Sequence, residues 1–257
     1  MILSNNKTIR IWGGLGNQLY QYAFARFLER NFNYNIVFNL NYYSNDITSR
    51  KFLLKKILKN FDYETVNITE NFFQKLLNYR TEKLYKYLIK KKIQLLPNVL
   101  IGYWQDLYFA NTLQHNDFKD DFFYQNNPRL EKEYYVLHFR GGDFYTSHTH
   151  QVLDIHHYKK SVAFFQDKKI YCISDDTDKL ELLLKELKLK NTHLIELDEF
   201  DAFKLIYNSQ GGIASNSTFF WWAAYLSRKQ NWIFPKSWLK NRSIFEENLF
   251  IDNTLVI

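Results

Sequence analysis

The sequence predicts an α/β protein in which parallel sheets are wrapped by helices. Short apolar runs alternate with helical patterns through the second half of the chain. The first half opens on an apolar run, a glycine turn and an amphipathic helical pattern. Pro and Gly are scarce, at 3 and 8 residues of 257, so nearly all of the chain is available for regular elements.

In the second half the predicted elements follow one another without interruption. Strands are predicted over 134–139, 169–174, 193–197, 211–215 and 231–234, with helices over 155–167, 176–189, 200–209 and 217–228. Ligands of such sheets bind beyond the carboxyl ends of the strands, so the residues that follow each strand are the candidates for function.

The first half is less regular, and a polar turn separates it from the second. Its predicted elements are a strand over 8–12, a helix over 17–30, a lysine- and aromatic-rich helix over about 70–92 and a strand over 98–104. The polar turn ends in Asn-Asn-Pro-Arg and predicts a boundary between domains 1–128 and 129–257.

Composition narrows the class of protein. A hydrophobic content of 46% excludes a disordered chain, and the single cysteine, Cys172, excludes an intrachain disulfide. Without a signal-like or membrane-spanning apolar run, a cytoplasmic location is expected. The net charge of +7 favours an anionic partner, either a nucleic acid, a membrane surface or a phosphorylated small molecule. The segment 82–92 fits a helix at an anionic membrane or the solvated face of a core-packed helix.

The first candidate site is the glycine turn before the first helix. Gly14 and Gly16 allow backbone N–H groups at the helix start to approach an anionic or sugar-bearing ligand, and Asn17 and Gln18 are predicted to face it. A turn made only for tight packing is the structural alternative.

The second candidate site follows the predicted strand over 134–139. His138 and Arg140 project on one side by strand periodicity. The planar guanidinium of Arg140 suits a diphosphate and can offset the charge of a departing nucleotide. A structural ion pair between Arg140 and Asp143 is the alternative.

Two further helix starts carry polar groups. Ser217 and Thr218 can donate hydrogen bonds to phosphate oxygens. Asp175 and Asp176 can receive a base or ribose, or cap the following helix. Asp176 and Asp178 have the spacing of a carboxylate pair, but acids are common in a first helical turn, so no metal is predicted.

Three segments together, 13–23 (Gly-Gly-Leu-Gly-Asn-Gln-Leu-Tyr-Gln-Tyr-Ala), 138–144 (His-Phe-Arg-Gly-Gly-Asp-Phe) and 214–226 (Ala-Ser-Asn-Ser-Thr-Phe-Phe-Trp-Trp-Ala-Ala-Tyr-Leu), resemble the α-1,2-fucosyltransferase family in order and spacing. Weaker similarities at 50–54, 102–105, 173–176 and 234–238 extend the resemblance over nearly the whole chain. The resemblance implies a GT-B fold, an α/β architecture of two Rossmann-like domains facing across a cleft. It also implies transfer of fucose from GDP-fucose, with inversion and without a metal or other cofactor, to the 2-hydroxyl of a terminal galactose.

Roles for individual residues follow from the resemblance and from their places in the sequence. Catalysis is assigned to Arg140, His138, Asn17 and Asp143. Donor binding is assigned to Gly14, Gly16, Asn17, His138, Arg140, Asp175, Asp176, Asp201, Asn216, Ser217 and Thr218, and acceptor binding to Trp104, Gln105 and His150. Either Asp143 or His150 could act as general base. The expected partners are GDP-fucose and a galactose-terminated oligosaccharide or lipid-linked glycan, with peripheral contact at the inner face of the membrane and no nucleic acid.

One departure from the family pattern concerns the residue after Arg140. The family shows two consecutive arginines, whereas this chain has Gly141 in the second place. This removes one positive group and leaves Arg140 to bind the diphosphate alone. The alternatives are a noncatalytic relative that binds nucleotide or glycan, and a basic nucleic-acid-binding protein.

Overall fold

The computed structural model describes residues 5–44, 50–69, 72–124 and 133–257, with only the backbone described for 72–80. Contacts within the chain define two compact units, unit 1 over Met1–Phe118 and unit 2 over Lys119–Ile257. The boundary predicted between residues 128 and 129 lies outside the described residues.

Unit 1 is built on a parallel sheet with the strand order β3-β2-β1-β4. Its strands and helices in chain order are β1 (Asn6–Arg10), α1 (Leu15–Phe32), β2 (Asn35–Asn39), α2 (Leu54–Ile57), β3 (Thr65–Val66), α3 (Phe72–Lys90), β4 (Val99–Leu100) and α4 (Leu107–Ala110). The strand predicted over 98–104 is only two residues long, because the backbone N–H groups of Tyr103 and Trp104 donate to the Glu82 carboxylate instead of to a neighbouring strand.

Unit 2 contains a six-stranded parallel sheet in the order β12-β9-β8-β5-β6-β7, and a short antiparallel pair, β10 and β11. Its strands and helices are β5 (Tyr135–Phe139), α5 (Ile155–Val162), β6 (Ile170–Ser174), α6 (Thr177–Leu187), β7 (Thr192–Leu194), α7 (Glu199–Asn208), β8 (Gly211–Ile213), α8 (Thr218–Ser227), β9 (Asn231–Phe234), β10 (Ser237–Leu239), β11 (Arg242–Ser243) and β12 (Leu255–Val256). Short 3-10 turns cover Asn41–Tyr43, His115–Asp117, Asp120–Phe122, Gly142–Phe144 and Ala163–Phe165.

The order of the six strands is that of a doubly wound Rossmann sheet. In such a sheet the first three strands along the chain are added towards one edge, and the next three are added on the other side of the first strand. In unit 2 these strands are β5 and β8, which are direct neighbours, with Val136 opposite Gly212. In unit 1 the corresponding neighbours are β1 and β4. The residues that follow these strands therefore occupy the switch point of each sheet.

Apolar strand residues form the core of unit 2, as the continuous apolar runs predict. Leu137, Cys172 and Ile213 on neighbouring strands are at most 1% exposed. Leu180 and Leu183 of α6 pack against the same cluster from outside the sheet. This packing holds the carboxyl ends of β5, β6 and β8 side by side and fixes the loops that leave them.

Candidate active site

Arg140 is the first residue after β5, and two carboxylates hold its side chain. One guanidinium nitrogen lies 2.6 Å from Asp143 Oδ1 and another lies 2.5 Å from Asp175 Oδ2. The guanidinium also lies over the ring of Phe144, 5.1 Å from its centre. The ion pair with Asp143, predicted as an alternative role, is therefore present. Asp175 adds a second partner that the sequence did not indicate.

The glycines after Arg140 allow its loop to pack against the start of α6. The Gly141 N–H group donates to Asp175 Oδ1 at 3.0 Å. A Cβ atom on Gly141 would lie 2.9 Å from Asp176 Oδ2, and one on Gly142 would lie 2.2 Å from Asp175 Oδ2. Asp176 is itself fixed, because its Oδ1 accepts from the Lys179 N–H group at the start of α6. Any larger residue in place of Gly141, including the second arginine of the family, would therefore be crowded by Asp176.

His138 is a buried, neutral group beside Arg140. Its Nδ1 atom lies 2.7 Å from the hydroxyl oxygen of Ser215, and its ring stacks on Phe220. Burial lowers the pKa of His138 to about 3, and the charge of Arg140 acts in the same direction. His138 therefore joins β5 to the residues after β8 and adds no positive charge to the site.

The segment Ser215–Thr218 carries the chain from β8 into α8. The amide nitrogen of the buried Asn216 donates to the backbone oxygens of Gln151 and Trp238, each at 3.0 Å. These two hydrogen bonds fix the position of the loop. Ser217 is the N-cap residue of α8, and its hydroxyl makes no capping bond within the described part of the chain. Thr218 begins the helix and is partly exposed.

His150 and Arg140 both contact the ring of Phe144. Its ring stacks on Phe144, with 4.6 Å between the ring centres, and Phe144 also contacts the guanidinium of Arg140. Burial lowers the pKa of His150, Asp143 opposes that shift and Arg140 reinforces it. The imidazole is thus favoured in its neutral form, in which one ring nitrogen can accept a proton.

Asp201 lies in the first turn of α7, away from this loop in sequence. Its side chain is 56% exposed and lies 3.8 Å from the ammonium nitrogen of Lys204. The helix is capped by Asp198, whose carboxylate accepts from the N–H groups of Phe200 and Asp201. The carboxylate of Asp201 is therefore not used as the helix cap.

In unit 1 the glycine turn leads from β1 into α1, with Gly14 as the N-cap residue and Gly16 in the first helical turn. Asn17 Oδ1 accepts from the side-chain amide of Gln105 at 3.0 Å, so two residues predicted separately come together at the switch point of this sheet. Gln18, predicted to face a ligand, is instead fully buried and donates to the backbone oxygens of Gly13 and Lys51.

Trp104 is a core residue of unit 1. It is fully buried and stacks in parallel on Phe24, with ring centres 4.0 Å apart. Its ring has no exposed face for an acceptor, in contrast to the role expected from the resemblance. The neighbouring Tyr103 stacks on Trp12 at 4.6 Å, and both of these rings are partly exposed.

Two residues of the site, Ser215 and Phe144, were given no role from the sequence. Both lie inside the motifs 214–226 and 138–144, and the predicted strand 211–215 ends at Ser215, so position within these motifs is the signal that could have found them. Within the described ranges, no three His, Cys, Asp or Glu side chains lie close enough together to hold a metal ion.

A doubly wound sheet with an arginine and a helix N-terminus beyond its switch point is typical of proteins that bind an anionic nucleotide. The model of one family, glycosyl transferase family 11, matches residues 2–251, and the chain belongs to this family. The family resemblance predicted from the three motifs is confirmed.

A relative of this chain is likewise named as a glycosyltransferase. The O-antigen biosynthesis glycosyltransferase WbnK of Escherichia coli is 27% identical over 282 residues, covering 88% of this chain and 92% of that protein.

Solved structures share the fold at low sequence identity. The NodZ alpha-1,6-fucosyltransferase of Bradyrhizobium, co-crystallized with GDP, is 10% identical with a TM-score of 0.54, covering 86% of this chain and 92% of that one. A glycosyl transferase of family 9 from Veillonella parvula is 8% identical with a TM-score of 0.52, covering 100% of this chain and 88% of that one. The expected α/β fold of GT-B type is confirmed.

Proposed function

We propose that this glycosyltransferase moves L-fucose from GDP-fucose to the 2-hydroxyl of a terminal galactose on a glycan acceptor, with inversion and without a metal. The observation that carries the proposal is the position of Arg140 beside the start of α6, just beyond a switch-point strand of a Rossmann sheet. Membership of glycosyl transferase family 11 and the motifs around this arginine support the same donor.

Arg140 would bind the diphosphate of the donor by exchanging one of its two carboxylate partners. The Asp143 side chain is 63% exposed, so water can solvate it once its ion pair is released. Asp175 is less exposed and also accepts from the Gly141 backbone, so it would continue to hold the guanidinium in place. The planar guanidinium can then donate two parallel hydrogen bonds to phosphate oxygens.

The start of α8 supplies the second anion-binding element. Its first N–H groups have no partners within the helix, and the hydroxyls of Ser217 and Thr218 lie in the same turn. Neutral His138 holds the preceding Ser215, which fixes the entry of the chain into this helix. Asp201 is proposed to accept hydrogen bonds from guanine, because its exposed carboxylate is not needed to cap α7.

The reaction would be a direct displacement. The acceptor oxygen attacks the anomeric carbon of fucose from the face opposite GDP, and the bond from that carbon to the phosphate oxygen breaks. Negative charge grows on the leaving GDP, where Arg140 and the α8 N-terminus stabilise it electrostatically. The hydroxyl proton passes to a base, for which Asp143 and His150 are the two candidates beside Arg140.

Asn17 and Gln105 are proposed to orient the sugars in unit 1. Their mutual hydrogen bond fixes both amide groups, and each amide can still donate or accept one or more bonds to hydroxyls.

The acceptor is proposed by analogy with a relative. Because WbnK is named for O-antigen biosynthesis, we propose that this chain has a comparable cytoplasmic role and acts on a lipid-linked glycan at the inner face of the membrane. No helix among the described residues is long and apolar enough to cross a bilayer.

An acceptor panel tests the function directly. The chain is incubated with GDP-fucose and galactose-terminated oligosaccharides, with and without a chelator, and the linkage of any product is determined. We expect an α-1,2-linked fucosyl product whose yield the chelator does not change. Binding of GDP without turnover on any acceptor would favour the noncatalytic alternative, and a product with another linkage would overturn the assignment of the 2-hydroxyl.

A further inference from the structure

The end of α3 and the residues after it expose large apolar side chains to solvent. Leu84, Tyr87, Ile93 and Leu95 are 52%, 58%, 44% and 66% exposed. They lie within residues 83–95, which we call the basic-apolar segment. A helix that only covers a core buries its large apolar side chains and exposes polar ones to solvent. The exposed apolar side chains of this segment therefore indicate a surface that binds a partner.

The two exposed apolar side chains that belong to α3 share one face of the helix. At about 100° per residue, Leu84 and Tyr87 lie within about 60° of each other, while the fully buried Ile89 points roughly to the opposite side. The core of unit 1 is therefore served by one face of α3, and Leu84 and Tyr87 belong to the other.

The lysines of the basic-apolar segment divide in the same way. Lys86 binds Glu82, and Lys90 binds Asp106 at 2.6 Å, so both are used inside unit 1. Lys83, Lys91 and Lys92 are exposed and flank the apolar side chains. Among the described residues no carboxylate forms an ion pair with Lys83, Lys91 or Lys92, and the Lys91 ammonium lies 6.0 Å from the ring centre of Tyr87. These three charges are therefore available to an anionic partner.

We propose that the basic-apolar segment docks this chain on an anionic phospholipid bilayer. Apolar side chains ringed by lysines match the boundary between acyl chains and headgroups, where the apolar groups insert and the ammonium groups meet phosphates. The aliphatic Leu84, Ile93 and Leu95 favour acyl chains over nucleic acid bases, which bind by stacking on aromatic rings. This proposal rests on the proposed function in one respect only, which is that the lipid-linked acceptor identifies the membrane that is bound.

Vesicle binding of the full chain tests the proposal. Vesicles of phosphatidylcholine alone and of phosphatidylcholine with phosphatidylglycerol are pelleted with the protein at low and high salt. We expect binding to the anionic vesicles only. Leu84→Ser with Leu95→Ser should weaken it at least tenfold. Changing Lys83, Lys91 and Lys92 to Glu should weaken it further, by at least about fivefold for each lysine replaced.

Matched variants in unit 2 provide the controls. Phe164→Ser with Leu182→Ser removes comparably exposed apolar groups, and Lys160, Lys168 and Lys190 changed to Glu impose the same change in net charge. Equal losses in the control variants would overturn the proposal, as would equal binding to neutral vesicles or no binding to either. Retention on duplex DNA or RNA in place of vesicles would also overturn it. No donor is present in the assay, so failure of the proposed fucosyl transfer leaves its outcome unaffected.

Discussion

His138 Nδ1 lies 2.7 Å from Ser215 Oγ, and this contact joins the two strands on either side of the switch point in unit 2. Both residues are buried, so the contact fixes the geometry of the loops that carry Arg140 and the start of α8. A neutral imidazole suits this position because a charged ring would be unfavourable in the interior and beside Arg140.

The low pKa of His138 predicts how stability changes with pH. The pKa falls from 6.5 to about 3 on folding, so between these values the unfolded chain binds a proton that the folded chain does not. Stability from this group is complete above about pH 6.5 and is lost as the pH falls, by up to about 1.4 kcal/mol per pH unit.

The variant His138→Asn isolates this effect in urea unfolding at a series of pH values from 7 to 4.5. We expect the variant to be less stable at pH 7 and the difference from the wild type to shrink as the pH falls. Burial also lowers the pKa values of His150 and His157, but both residues remain in the variant and cancel in the comparison. A constant difference across the range would contradict the assignment to His138.

Arg140→Ala is expected to lower the rate of fucosyl transfer by about 10²–10³-fold, because the charge that stabilises the leaving GDP is lost. Calorimetry should show weaker GDP binding in the same variant. Arg140→Lys should recover only part of the activity, since an ammonium group cannot grip two phosphate oxygens at once. The control is Arg242→Ala, which removes a side chain that is 42% exposed and breaks its ion pair with Glu247 in the same unit. Activity near that of the wild type in Arg140→Ala would remove the central role of this residue.

Gly141→Arg restores the arginine pair of the family, and here it is expected to destabilise the fold by about 1–3 kcal/mol. The cause is the Cβ atom, which would lie 2.9 Å from Asp176 Oδ2, so Gly141→Ala should show much of the same loss. Combining Gly141→Arg with Asp176→Gly should cost less than the sum of the two changes, because the contacts with Asp176 Oδ2 and Cβ are then absent and only the contact with Tyr145 Cε2 at 3.0 Å remains. Additive losses in thermal unfolding would show that Asp176 is not the obstacle.

Much of unit 2 could be predicted from the sequence because its strands are buried on both faces and give continuous apolar runs. The runs around Leu137, Cys172 and Ile213 all form strands of one parallel sheet. By contrast, β12 has only two residues at the edge of the sheet, and its pattern is too short to recognise. Arg140 was identified from its place after a strand, whereas its contact with Asp175 depends on tertiary packing between two loops that are distant in the chain.

In unit 1 Asn17 and Gln105 could each be identified from the sequence, whereas their contact could not, because it links residues 88 apart in the chain. Gln105→Met keeps the size of the side chain and removes its amide. We expect kcat to fall about tenfold, because the sugars are less well oriented, while GDP binding is unchanged, because the residues proposed to bind the diphosphate and guanine lie in unit 2. Gln166→Met is the control, since Gln166 is exposed and lies outside both the proposed site and the basic-apolar segment. A parallel loss of GDP binding would contradict the separation of roles.

Trp104 gives the clearest difference between the role expected from the family resemblance and the observed packing. A residue that only contacts an acceptor can be truncated without much loss of stability, whereas a fully buried ring stacked on Phe24 cannot. Trp104→Ala is therefore expected to destabilise the protein by about 3–5 kcal/mol in urea unfolding. Trp104→Phe keeps an aromatic ring in the core and should cost much less. If Trp104→Ala instead leaves stability within about 0.5 kcal/mol of the wild type and raises only the KM for the acceptor, the indole is a binding surface and its place in the core is wrong.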